Sequence, residues 1–316
     1  MRALVTGGTG FIGGAIVNHL LKEGHDVVVV DNMFDPTFRT MVEQKNRRLE
    51  LHTLDVRDLS ALLKIADGID VVFHFAAHYA NERSLAQPLT NVSINMVGTM
   101  SVLEFCRRRG IKKLVYASSS GVYGAMEIVA YAESTSPRPS TPYEVTKYSG
   151  ELLCAGFCEI YGISVSAPRY FNVYGPGDVP GKWRSVVPRF FQLAKKGEPL
   201  VVTGSNASRD FTYIDDVVAG TMAGLRRIEE APDRITLVYN IGTGHEVFAK
   251  QMAEYIVAAS GSKSEITIEE FRHWDNAPRR VADCHKYRAL FPEEAEQMRS
   301  AEQGIKDACE WYMDVC

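Results

Sequence analysis

Through the first half of the chain, apolar runs of strand length alternate with longer stretches in which apolar residues recur every three or four positions. The runs are Ala3–Thr6, Asp26–Asp31, Leu49–Leu54, Val71–Ala76, Lys113–Ser118 and Ser164–Tyr170. Val27-Val28-Val29-Val30 shows no polar alternation, as fits a strand covered on both faces. Between the runs, stretches such as Leu89–Arg109 and Pro142–Tyr161 carry helical periodicity. The pattern predicts an α/β fold: a doubly wound parallel sheet with helices on both faces.

Beyond Asn172 the pattern changes. Pro and Gly cluster at Gly175-Pro176-Gly177, Val179-Pro180-Gly181 and Gly197-Glu198-Pro199, and the apolar runs become short and mixed. The reading is a sheet domain over residues 1–171, rejoined by a strand near 237–245 that includes Tyr239–Gly242, and a smaller mixed α/β lobe over 172–316.

A chain of 316 residues buries roughly three quarters of its unfolded surface and needs no covalent staples. Net charge is −4, and the longest basic run is Arg107-Arg108-Arg109, so neither nucleic acid nor an anionic membrane is an expected partner. No apolar stretch is long enough to span a bilayer, and Met1–Thr6 reads as a strand rather than a leader, which makes the expected location cytoplasmic. The six cysteines show no Cys-x-x-Cys pair. Reduced thiols are expected, with neither a disulfide framework nor a metal site.

The opening segment carries candidate chemistry. Gly8-Thr9-Gly10-Phe11-Ile12-Gly13 fits G-x-G-x-x-G, and Gly7, Gly10 and Gly13 give a wider G-x-x-G-x-x-G spacing. A strand precedes these glycines, a helix follows, and Asp31 ends the next strand. Glycines let backbone approach a pyrophosphate, while the helix N-terminus offers unpaired N–H groups. Asp31 can accept from an adenosine ribose and repels a 2′-phosphate, and Asn32 beside it adds no positive charge. NAD is therefore favoured over NADP. Asp55 and Val56, after the third strand, fall along the same sheet edge, near an adenine or in an ordinary loop.

Ser140–Lys147 reads STPYEVTK. Thr141 suits an N-cap, Pro142 the first helical position and Glu144 the acid of a capping box, so a helix starts here. Tyr143 and Lys147 then share one face. An ammonium near a phenol, joined by a positive nicotinamide ring, lowers the tyrosine pKa towards the range of a useful base. The hydroxyl run Ser118-Ser119-Ser120 follows the fifth strand, at the sheet end where ligands bind.

Seven ordered blocks now stand together: TGGTGFIG at Thr6–Gly13, FHFAAH at Phe73–His78, NMVGT at Asn95–Thr99, SSSGVYG at Ser118–Gly124, YEVTK at Tyr143–Lys147, RYFNVYGPG at Arg169–Gly177 and RDFTYIDDV at Arg209–Val217. Over nearly the whole chain, the sequence resembles the extended short-chain dehydrogenase/reductase family, in its nucleotide-sugar epimerase and dehydratase branch. The resemblance implies a Rossmann-type fold whose domain over 1–171 binds NAD and whose lobe over 172–316 binds a nucleotide sugar. It implies that Phe11, Ile12, Phe75, Ala76, Ala77 and Tyr79 line the cofactor. Asn95 would support it, and Ser118 and Phe171 would flank the nicotinamide. A family Ser or Thr lies four residues before the tyrosine of V-Y-G; counting from Tyr123 gives Ser119, whereas alignment from the strand end would select Ser120. On the substrate side the resemblance implies Asn172, Val187, Arg209 and, from a degenerate R-x-G-D context, Arg272, with Arg279 and Arg280 as alternatives.

In that branch Tyr143 removes the sugar 4-hydroxyl proton, Ser119 orients the oxygen and NAD accepts the hydride. Dehydratases resemble one another in an Asp-Glu pair where this chain has Ser120 and Gly121, and decarboxylating relatives place Glu at the Gly121 position. Both branches are disfavoured. The expected activity is 4-epimerisation of a UDP-sugar through a transient 4-keto intermediate with NAD kept bound. A ketoreductase using external NAD(P)H, and a non-catalytic NAD-binding regulator, are the alternatives. The segment His78–Arg83 is where sugar selectivity is expected, and the resemblance implies a homodimer built on the two long helices.

Overall fold

The computed structural model describes residues 1–34, 46–126, 130–183, 185–270 and 278–316. Its central sheet has eight strands. Seven are β1 (Arg2–Thr6), β2 (Asp26–Asp31), β3 (Leu49–Thr53), β4 (Val71–His74), β5 (Lys113–Tyr116), β6 (Ser164–Tyr170) and β7 (Thr236–Ile241), in the order β7-β6-β5-β4-β1-β2-β3. The two-residue strand Ser118–Ser119 also pairs with β6. Pairing is parallel from β3 across to β6. Chain order reverses beside β1, whose neighbours are β2 and β4, and this switch opens the crevice in which open α/β sheets bind ligands.

Alternation along each strand explains the double cover. Leu4, Val28, Val72 and Leu114 enter one apolar cluster, while Ala3 and Val5, Val27 and Val29, Val71 and Phe73, and Val115 enter the other. Successive side chains point to opposite faces, so a valine run supplies both cores at once. Each fully buried Val or Leu contributes about 1.5–3 kcal/mol relative to exposure. The edge strand β3 is mostly exposed, as its sequence LELHT suggests.

Three helices matter for the site. Helix α1 (Phe11–Lys22) covers the sheet with Ile16, Val17, Leu20 and Leu21. Helix α2 (Gly98–Arg109) is preceded by a short helix, Pro88–Val92, and a π-helical turn, Ser93–Val97. Helix α3 (Pro142–Tyr161) begins with the foreseen capping box: Thr141 accepts from the Glu144 N–H, and Glu144 accepts from the Thr141 N–H.

The chain forms two compact units. The first holds Met1–Val122, Pro139–Arg169 and Val218–Tyr239. The last segment falls within the lobe drawn from sequence at 172–316, yet Val218, Met222 and Leu225 pack into the sheet's second apolar cluster. The second unit holds Tyr123–Arg138, Tyr170–Val217 and Asn240–Cys316. Ala130–Tyr131 joins it by pairing with Val281–Ala282. Its short strands are organised by Asp210, a buried carboxylate that accepts from Thr243 N and Oγ1 (2.8 Å each), Gly244 N (2.8 Å) and Ala282 N (3.2 Å). Three of its helices, Val186–Lys196, Ala249–Ser260 and Ala301–Val315, pack together, with Phe191 stacked on Tyr312 at 4.5 Å.

Candidate active site

In the first unit, the turn after β1 shows why glycine is needed. Gly7 has φ +69°, and a Cβ there would lie 2.6 Å from the Ala76 nitrogen; at Gly13 a Cβ would meet the Gly7 carbonyl. Gly10 caps α1 without any side-chain hydrogen bond, and the first turn holds no acidic residue. Its N–H groups are thus left for an anion, as a dinucleotide pyrophosphate requires. Phe11 and Ile12 open the helix and are partly exposed.

At the end of β2 the Asp31 carboxylate accepts from Thr9 N (3.2 Å) and Met33 N (2.9 Å), which fixes it between the glycine turn and the next loop. Met33 takes the left-handed φ of 54° in doing so. Arg57 holds the Asp55 carboxylate at 2.6 and 2.9 Å, below its usual pKa range, and Asn32 acts on it in the same sense. The Val56 side chain is core, packed on Gly98, which leaves its main chain for a ligand.

After β4, Phe75, Ala76, Ala77 and Tyr79 are partly exposed. Asn95, on the π-helical turn, is buried; its Oδ1 accepts from His78 N (2.7 Å) and its Nδ2 donates to Thr146 Oγ1 (2.9 Å) and His78 O (3.2 Å). It therefore ties the loop after β4 to the helix of Tyr143. Within the expected selectivity segment, the His78 side chain is buried and bonded to Gln87 at 3.1 Å, so it is unavailable to a sugar. Asn81 of that segment lies closer to the chemistry, donating to Glu144 (3.0 Å) and accepting from Thr141 (3.0 Å). The residue before it, Ala80, has φ 74°, a backbone state that costs a non-glycine residue about 1–3 kcal/mol.

Ser119, Tyr143 and Lys147 converge. Ser119 lies beside Tyr143, and its Oγ accepts from Gly121 N at 3.0 Å. Lys147 Nζ donates to Ala117 O at 2.7 Å and lies 5.9 Å from the Tyr143 ring centroid. Burial pushes Tyr143 up to about 12, with Ser119 opposing. Burial also brings Lys147 down to about 8, against Cys154 and Glu151. With the protein groups alone, desolvation dominates at Tyr143, and Lys147 turns its ammonium to the Ala117 carbonyl. Ser120 is buried in the turn that follows. Ser118 is also buried, and its hydroxyl donates to Glu151. His74 bridges Thr6 (2.7 Å) and Thr99 (3.0 Å) as a core residue.

In the second unit Phe171 is buried 6.5 Å from the Tyr123 ring, and Asn172 is partly exposed with its N–H bonded to Asp210 O. Val187 is fully buried at the start of its helix, where its side chain belongs to the core. Arg209 NH1 donates to Ser208 O (2.8 Å) and Pro278 O (2.9 Å). Arg272 lies outside the described residues. Of its alternatives, Arg279 is paired with Glu246 at 2.6 Å, and the buried Arg280 donates to Gly124 O.

All six cysteines are free thiols. Among the described residues no cluster of three or more His, Cys, Asp or Glu side chains could hold a metal, and no helix is long and apolar enough to cross a membrane.

Residues 3–242 match the family model described as the NAD dependent epimerase/dehydratase family. The UDP-glucuronate 4-epimerase of Thermodesulfobacterium geofontis is 32% identical over 320 residues, covering 98% of this chain and 95% of that one. The UDP-N-acetyl-alpha-D-glucosaminuronate decarboxylase of Bacillus cytotoxicus is 29% identical over 327 residues, covering 99% and 98%. Among solved structures, the Thermus thermophilus UDP-glucose 4-epimerase complex with NAD superposes with a TM-score of 0.86 at 28% identity over 100% of both chains. The cofactor is NAD, and the uncapped α1 terminus with the oriented Asp31 carboxylate fits it.

Proposed function

This chain belongs to the NAD-dependent epimerase/dehydratase family, and on that premise we propose that it is a nucleotide-sugar 4-epimerase acting on a UDP-sugar through a transient 4-keto intermediate. The carrying observation is Ser119 beside Tyr143 and Lys147, next to a turn in which residues 120 and 121 supply no carboxylate. Tyr143 takes the proton of the sugar 4-hydroxyl, and Ser119, its oxygen already accepting from Gly121 N, directs its own proton at the reacting oxygen. Bound NAD supplies the hydride acceptor and, in its oxidised form, a positive ring that favours phenolate. Lys147 adds its own charge. The released ketone would turn over and take the hydride back at C4 on its other face, while Tyr143 returns the proton to the 4-oxygen.

The decarboxylase relative makes Gly121 the discriminating position. A Cβ there would lie 3.1 Å from Glu144 Cγ and 3.2 Å from Ser119 Oγ, so a longer acidic side chain has no ready space. Glu144 itself is fully buried, and its carboxylate is engaged by Asn81 Nδ2 and the Ser140 and Thr141 N–H groups. Both features support epimerisation over loss of a hydroxyl or a carboxylate. Asp31 accepts from the adenosine ribose and repels a 2′-phosphate. Arg209 is assigned to the substrate diphosphate because guanidinium geometry suits phosphate oxygens, and Asn172, whose N–H bonds to the carbonyl of Asp210, the residue after Arg209, is assigned with it.

A homodimer is part of the same reading. Leu89 (85% exposed), Val97 and Met100 around α2, with Val145, Leu152 and Ile160 (71%) on α3, leave apolar side chains in solvent on the two long helical segments.

The test incubates purified protein, without added cofactor, with UDP-, dTDP-, GDP- and CDP-sugars and follows the anomeric protons by NMR. Conversion of a UDP-sugar to its C4 stereoisomer is the expected result. Turnover only with a keto sugar and external reduced cofactor would make the chain a reductase, and no turnover under either condition would leave a binding protein.

A further inference from the structure

One face of α3 carries a third residue in line with the catalytic pair. Tyr143, Lys147 and Glu151 follow at steps of four. They meet three consecutive residues at the end of β5: Ser119 lies beside Tyr143, Ala117 O accepts from Lys147 Nζ at 2.7 Å, and Ser118 Oγ donates to the Glu151 carboxylate. Behind Glu151, Arg169 of β6 closes a bidentate pair at 2.7 and 2.9 Å. Both charged side chains are only 5% exposed. Such a pair costs much of its Coulomb gain in desolvation, so stability alone is a weak reason for it.

We propose that Ser118, Glu151 and Arg169 form a positioning device for the Ser119–Tyr143–Lys147 site. This rests on the reading of that site given above. The latch on Ser118 holds the strand end in register with α3, so that Ser119 stays within hydrogen-bonding reach of Tyr143. Arg169 fixes the carboxylate that performs the latching.

The device also sets a field. Lys147 faces Tyr143, Glu151 and Cys154 on its own helix, Tyr116 from β5 (ring centroid 5.3 Å from Nζ) and His74 from β4. Glu151 is the carboxylate of that set, and it opposes the effect of burial on Lys147. Its removal favours the neutral amine, so Lys147 would lose its proton at lower pH.

The experiment compares the wild-type holoenzyme with Glu151→Gln and Ser118→Ala. For Glu151→Gln, kcat is expected to fall between about tenfold and a hundredfold with KM little changed and NAD retained, and the alkaline limb of kcat to move to lower pH. For Ser118→Ala, a smaller fall with an unmoved limb is expected. NMR titration of Lys147 in lysine-labelled protein, assigned with Lys147→Met, gives a readout that needs no turnover. If wild type turns over no sugar, the epimerase reading fails while this titration still decides the field that Glu151 exerts. Wild-type kcat in Glu151→Gln, or a loss of kcat with the Lys147 titration unmoved, would reduce the device to a structural brace and overturn the proposal. Should Glu151→Gln fail to fold, Ser118→Ala decides: lowered kcat at an unchanged melting temperature supports the latch, and wild-type kcat rejects it.

Discussion

The glycine turn after β1 and the hydroxyl segment after β5 occupy equivalent places at the carboxyl ends of sheet strands, but they are made of different materials. The first works through main chain: Gly7 and Gly13 allow contacts that any side chain would block, and α1 presents an uncapped N-terminus. The second works through side chains drawn from a distant helix, with Ser119 meeting Tyr143 and Ala117 meeting Lys147. A backbone site is robust to the chemistry of its neighbours. A side-chain site depends on what surrounds it, and here burial moves both titrating groups in the direction that disfavours charge.

Substitutions that touch one end and spare the other sharpen this contrast. The largest effect is expected for Tyr143→Phe, which removes the base: kcat should drop by about 10²–10⁴, with NAD content of the purified protein unchanged. Loss of NAD together with activity would show that the two ends are not separable.

Next comes Lys147→Met, read as stability against pH. Lys147 titrates at about 8 in the folded chain against an ordinary 10.5, so between these values the unfolded chain binds more protons and stability rises with pH. Below about 8 the full penalty is present, up to about 3 kcal/mol for a shift of this size. The variant should therefore lose turnover yet unfold at higher denaturant concentration at pH 7, with the advantage shrinking as pH approaches 10. An advantage independent of pH would point to packing instead.

At the other end, Asp31→Ala removes a carboxylate that accepts from Thr9 N and Met33 N. The expected cost is about 1.5–3 kcal/mol of NAD affinity, measured by calorimetry on protein stripped of cofactor, with kcat at saturating NAD nearly preserved. The smallest effect belongs to Thr141→Ala, which deletes the cap of α3 at about 1 kcal/mol. Urea unfolding measures it, and the Ser119–Tyr143 chemistry should survive.

The same contrast explains what the sequence revealed. Valine runs and helical periodicity announced the sheet because their cause is local, two faces buried and side chains alternating. Gly7, Gly13, Thr141, Tyr143 and Lys147 were legible for the same reason, each sitting in a short motif whose geometry follows from spacing. Glu151 continued that spacing by one more helical step and could have been found from it. Asn81 could not, since its link to Glu144 spans 63 residues. That the Val56 and Val187 side chains are core could not be read from sequence, because burial of an individual apolar side chain is set by tertiary packing. In the second unit, strands of two residues such as Ser208–Arg209 and Val247–Phe248 carry too little pattern to read; partners far along the chain and the Asp210 carboxylate hold them.

The π-helical turn at Ser93–Val97 has a consequence for insertions and deletions. It accommodates one residue more than a regular helical path, and that surplus aims Asn95 at both His78 and Thr146. Deleting a single residue there would let the segment wind as ordinary helix with its flanks in register, and would remove the surplus that aims Asn95. The sheet and its helices would tolerate this, but the brace between the β4 loop and the helix of Tyr143 would not. Length variation in this chain is thus freer in the loops than at this one turn inside a helix.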